Sequence, residues 1–172
     1  MPRIIAIVIE LLVYLCALWF LTFLSTFLHE LGHAVGYMLA TGDSHWHIRV
    51  GWGKRLLNTK ALTVNLLVFD GFFTPSDEKI DTKAKLLTML LGGPVVSFLL
   101  VVSFAFLRFG GFSFQSVFLA DGVMETLVNY TLYLNLFLLL FSLAPMHYFW
   151  GEVRGHETDG LQIIHAIGKK GN

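Results

Sequence analysis

The sequence predicts a mainly α-helical, multi-pass membrane protein: about three transmembrane helices, with a small β-hairpin or sheet between the first two. Three observations carry that expectation. Of the 172 residues, 55% are hydrophobic and 14% charged, and the mean hydropathy is +0.68, more apolar surface than an ordinary soluble domain can hide. Three segments, within residues 4–40, 84–107 and 126–143, reach the roughly 20 predominantly apolar residues that a helix needs to cross a bilayer. Between the first two, residues 45–70 are rich in β-branched and aromatic side chains, the composition of strands.

The first helix opens directly after Met1-Pro2-Arg3 and is interrupted only by Glu10 and a few hydroxyl residues before Leu28. It has neither the short apolar region nor the small-residue cleavage site of a signal peptide, so the segment is expected to be retained. Its apolar pattern continues through Ala34 to Ala40 and meets no turn signal before Thr41-Gly42-Asp43. Strands are then expected over 45–50 and 61–69, with Gly51-Trp52-Gly53-Lys54 as the turn between them. Gly110-Gly111 through Asp121-Gly122 should join the second and third helices, and the chain turns polar after Pro145. No repeat or linker divides the chain, which reads as one domain over residues 1–172. Cys16 has no second cysteine to pair with.

Charge excludes one class of function and orients the chain. The net charge is zero and the basic residues form no dense run, so nucleic acid is not an expected partner. Arg49, Lys54, Arg55, Lys60, Lys79, Lys83 and Lys85 fall between the first two helices, against Arg108 alone in the next loop. Positive residues favour the cytoplasmic side, which puts the N-terminus outside and the first loop inside.

His29-Glu30-Leu31-Gly32-His33 is an H-E-x-x-H pentapeptide inside the first helix. Histidines at i and i+4 project from one helix face and can grip one zinc ion, with the glutamate beside them as general base. With seven His in the chain, this spacing arises by chance about once in a hundred such sequences. A carboxylate in a membrane helix also costs about 2.5–3.5 kcal/mol on insertion scales unless it has a partner or a task. Catalytic zinc usually takes three protein ligands and keeps a fourth position open. Two crossings bring Asp159 back to the membrane face of His29 and His33, and Gly160 after it permits close backbone approach. His45 and His47 alternate on an expected strand and read as exposed strand residues rather than a second metal site.

Three further stretches accompany the pentapeptide: Leu91-Gly92-Gly93-Pro94, the run from Asn135 to Pro145, and Thr158-Asp159-Gly160. In this order, over most of the chain, they resemble the site-2 protease family of intramembrane zinc metalloproteases, with its glycine-proline stretch opening a core helix, its asparagine-bearing helix and its Asp-Gly motif. The resemblance implies a three-helix catalytic core and Zn2+ held by His29, His33 and Asp159. It further implies Glu30 as catalytic base and a β segment that helps to hold a membrane-spanning protein or peptide substrate. The family's usual business is regulated intramembrane proteolysis. Asn135 would either contact the substrate backbone or make an interhelical hydrogen bond, the common role of Asn in membrane helices. Two features depart from the family pattern. Ser142-Leu143-Ala144-Pro145 lacks the asparagine often found before the proline, and the longer interval to Asp159 contains His147, Glu152, His156 and Glu157. His156 is the alternative third ligand.

A non-catalytic membrane metal-binding or scaffold protein of the same fold is the alternative function, and the intact Glu30 argues against it. A metal transporter would distribute polar ligands along its spans, whereas here they cluster at one end. Regulation is expected to come from the substrate, the membrane or a membrane partner.

Overall fold

No proline interrupts the chain between Pro2 and Pro75, and the first product of that continuity is α1, Pro2–Thr41, a 40-residue helix about 60 Å long at 1.5 Å per residue. It stops where Gly42 adopts a left-handed backbone, φ 71°, and donates its N–H to the Met38 carbonyl at 2.9 Å, a helix-terminating arrangement that glycine accepts without a Cβ clash. The structure is a computed structural model that describes residues 2–76, 79–111 and 122–168.

Two strands follow, β1 Trp46–Asn58 and β2 Leu62–Pro75, paired antiparallel. The expected turn at 51–54 is instead a bend inside β1. Gly51 and Gly53 lie at φ 77° and 85°, and successive shifts of register let Ile48 face both Leu62 and Phe73. Glycine signals a bulge as readily as a turn, and here the reversal falls later, where Thr59 N–H donates to the Leu62 carbonyl at 2.8 Å. β2 also runs beyond the expected limit at residue 70, and that extension lines a cleft with His29 and His33.

Helix α2, Lys83–Phe109, is capped by Thr82, whose side chain accepts from the Lys85 N–H, and carries Pro94 in its interior. Helix α3 is Val123–Leu143. Residues 112–121 of the expected connecting loop lie outside the described residues. Helix α4, Asp159–Gly168, forms in the stretch that reads as a polar tail. Thr158 caps it, its hydroxyl accepting from Leu161 N–H at 3.4 Å, and Asp159 occupies the first turn, where a carboxylate suits the helix dipole.

Among the described residues, three helices are long and apolar enough to cross a membrane: Arg3–Thr41, Lys83–Phe109 and Val123–Leu143. The expected spans fall within them. The sheet packs on α1 through Ala34, Ile48, Val50 and Val68, and the Trp19 indole N–H donates to the Leu66 carbonyl at 2.7 Å.

Small residues set the α1–α2 crossing. A Cβ on Gly32 would lie 2.7 Å from the Gly92 carbonyl carbon, and one on Gly36 would lie 3.1 Å from Met89 Cα. Backbones can approach this closely only where side chains are absent. The consequence is chemical: α2 comes near enough for its Met89 carbonyl and Ser97 hydroxyl to touch the histidines of α1.

Candidate metal centre

The α-helical spacing of His29 and His33 puts both imidazoles on one face of α1, with Nε2 atoms 3.3 Å apart. Each ring is fixed from behind. His29 Nδ1 lies 2.8 Å from Ser97 Oγ, and His33 Nδ1 lies 2.9 Å from the Met89 carbonyl oxygen. A carbonyl only accepts, so His33 Nδ1 carries the proton and its Nε2 keeps a lone pair for a cation. Metal-binding histidines are commonly oriented by such a hydrogen bond from the far nitrogen.

Asp159 arrives from the other end of the chain. A Cβ on Gly160 would lie 2.9 Å from Leu143 Cα, so the glycine lets α4 start hard against the end of α3. Asp159 Oδ2 then stands 3.4 Å from His29 Nε2 and 3.3 Å from His33 Nε2.

The chemistry of this donor set fits a metal ion. Bonds of about 2.0–2.2 Å at tetrahedral angles separate ligand atoms by about 3.3–3.5 Å, and the three separations here are 3.3, 3.4 and 3.3 Å. Among the described residues Asp159 Oδ2 is buried with no hydrogen bond of good geometry, although buried oxygens are normally satisfied. Among the described residues, His29, His33 and Asp159 form a group that could hold a metal ion.

Glu30, 7% exposed, borders the same cleft of about 270 Å³, together with Phe72, Tyr148 and the three candidate ligands. The backbone of β2 rides on it, since a Cβ on Gly71 would lie 2.7 Å from Glu30 Cγ. Next to Gly71, both carboxylate oxygens of Asp70 are buried, with no hydrogen bond of good geometry among the described residues. Arg49 Nη1 lies 3.5 Å from Asp70 and 3.2 Å from Glu152, tying the sheet to the 146–157 loop. Burial raises the Asp70 carboxyl, and the Arg49 guanidinium opposes the rise.

The remaining sequence candidates have other contacts. The His156 ring packs on Phe72 at 4.9 Å and is not in the His29, His33 and Asp159 group. Asn135, fully buried, donates to Ser25 Oγ at 3.0 Å and to the Thr131 carbonyl at 2.8 Å. That is an interhelical bond between α3 and α1, and Asn135 is absent from the walls of the cleft. His45 pairs with Asp43 at 2.6 Å, and His47 contacts the Lys60 carbonyl and Thr63 Oγ1, each at 3.0 Å.

Sequence reasoning missed Ser97, Met89, Asp70 and Tyr148. Ser97 left a trace, being a polar residue in an apolar helix. A backbone carbonyl such as that of Met89 leaves none. No family model, curated protein or solved structure matches the chain.

Proposed function

We propose that the protein is a zinc-dependent intramembrane endopeptidase of the site-2 protease type, acting on membrane-spanning proteins or peptides. The observation that carries this reading is the triangle of His29 Nε2, His33 Nε2 and Asp159 Oδ2, with edges of 3.3–3.4 Å, and Glu30 on the same cleft. An oxygen and two imidazoles suit zinc among common metals. Bound there, zinc supplies Lewis acidity, which makes water a nucleophile near neutral pH and polarises a carbonyl. Glu30 takes a proton from the attacking water and delivers it to the leaving amide nitrogen. His29 and His33 stay oriented throughout through Ser97 and Met89.

Three apolar helices support a multi-pass membrane setting. The outward faces agree, with Ile4 68%, Leu12 55%, Phe98 55% and Leu140 62% exposed, because such side chains are stable against lipid and costly against water. The basic first loop supports a cytoplasmic location for this end of α1 and an N-terminus outside. Peptide bonds of an intact transmembrane helix are shielded by their own hydrogen bonds, so a substrate must unwind locally. The stretch of β2 around Gly71 and Phe72, which lies along the cleft, offers backbone groups for strand pairing with it.

The test is cleavage in liposomes of a panel of labelled single-span peptides carrying glycine or proline near the centre. Cleavage of at least one, stopped by a zinc chelator and restored by zinc, is the expected result. Cleavage indifferent to chelation, or a panel left intact by zinc-loaded protein, would count against the proposal.

A further inference from the structure

The segment between α3 and α4 folds back on itself and brings Tyr148 to the cleft. Residues 146–148 run antiparallel to 156–158: Tyr148 N–H donates to the His156 carbonyl at 2.9 Å, Gly155 N–H to the Tyr148 carbonyl at 2.8 Å, and Thr158 N–H to the Met146 carbonyl at 3.0 Å. Thr158 Oγ1 sits 2.5 Å from the Ala144 carbonyl, so the residue before Asp159 is locked to the end of α3. Both backbone groups of Tyr148 are therefore committed, and the residue is coupled through two bridged positions to the candidate ligand Asp159.

Its side chain enters the cleft. The ring packs on Phe141 with centroids 5.8 Å apart, and Tyr148 helps to line the cavity containing His29, Glu30, His33 and Asp159. It also lines a smaller adjoining cavity beside Glu30 and Asp70. Among the described residues the phenol oxygen has no hydrogen-bond partner. A phenol ordinarily keeps its proton well above physiological pH, and burial pushes it the same way, so the hydroxyl is a donor.

A neutral donor on a rigid mount, facing a base and a metal site, is the equipment for stabilising negative charge on a substrate oxygen. We infer that Tyr148 is a further catalytic residue, whose hydroxyl donates a hydrogen bond to the carbonyl oxygen of the scissile peptide. This rests on the hydrolase reading above. As the water oxygen bonds to the carbonyl carbon, the π pair moves onto the carbonyl oxygen, and Glu30 holds the proton removed from water. Tyr148 keeps its own proton. When the carbonyl re-forms, the C–N bond breaks and the proton on Glu30 goes to nitrogen. A preorganised donor aimed at such an oxygen contributes mainly to the transition state.

The experiment replaces the metal by cobalt in detergent-purified full-length protein and follows the visible cobalt absorption while acetohydroxamic acid is added. Acetohydroxamate brings a carbonyl oxygen into the site next to its charged N–O oxygen, and the two together can chelate the metal, so no natural substrate is required. Tyr148→Phe preserves the ring against Phe141 and removes only the donor. It should take up cobalt like the unaltered protein and bind acetohydroxamate about tenfold more weakly, whereas Tyr148→Gln, which restores a donor, should recover part of the loss. Equal affinity in Tyr148→Phe with a normal cobalt spectrum overturns the role of Tyr148 and leaves the metal site standing. Loss of cobalt from Tyr148→Phe assigns the hydroxyl to holding the site and overturns it too. Unaltered protein that binds no cobalt removes the metal reading itself, and the proposal with it.

Discussion

Glu30→Gln is expected to reduce peptide hydrolysis by about a thousandfold while leaving zinc content unchanged, measured on the same liposome peptides with metal analysis of the same preparation. General acid–base catalysis by one positioned group contributes about 10²–10⁴-fold, and in the proposed mechanism Glu30 takes and returns a proton in one cycle. The amide matches the carboxylate in shape, so it fits the space under Gly71, but it does not accept a proton near neutral pH. Glu30 is also not one of the three candidate ligands, which separates loss of chemistry from loss of metal. A scaffold that merely kept the fold would be indifferent to this change. Undiminished cleavage by Glu30→Gln would remove the glutamate from the mechanism.

Gly93→Ala should be nearly as damaging by a different route. A Cβ built on Gly93 lies 2.7 Å from His33 Cε1 and 2.8 Å from His29 Nε2, so a single methyl intrudes on the face of the imidazoles that meets Asp159. The rings cannot swing aside without surrendering the bonds to Ser97 and Met89. Zinc affinity is expected to fall at least about a hundredfold, since moving the groups that orient metal ligands typically costs 10–100-fold and here the ligands themselves must move. Equilibrium dialysis against buffered zinc measures it. Gly168→Ala is the control, because its backbone is not left-handed and nothing among the described residues lies within 4 Å of that position. Unchanged affinity in Gly93→Ala would mean that the rings adopt another arrangement when metal is bound.

What the sequence made legible, and what it hid, follows from how local each signal is. Long apolar runs announce helices on their own, so α1, α2 and α3 were expected close to where they lie. The i, i+4 spacing of His29 and His33 needs one helix only, and the Asp159-Gly160 pair advertised close packing that Gly160 makes against Leu143. The bend of β1 was misplaced because a glycine cluster signals both a bulge and a turn. Only the pairing of Ile48 with two stretches of β2 distinguishes them, and that pairing is a tertiary fact. Helix α4 is short, 10 residues, and isolated helices of that length are marginal in water. Its apolar side has meaning only once α2 and α3 are there to receive it. Ser97 reaches His29 and Tyr148 reaches the cleft from segments 68 and 119 residues after His29 in the chain, too far for any motif to register.

The measurement that bears most directly on the central claim is zinc per chain in detergent-purified protein, comparing the unaltered sequence with His33→Ala and Asp159→Ala. About one zinc per chain is expected in the unaltered protein, lost or much weakened in both variants, because each removes one of three ligands of a single site. Well-folded unaltered protein without zinc, after incubation with zinc and removal of the excess, would contradict the metalloprotease reading. Zinc undisturbed by Asp159→Ala would contradict the three-ligand triangle on which that reading stands.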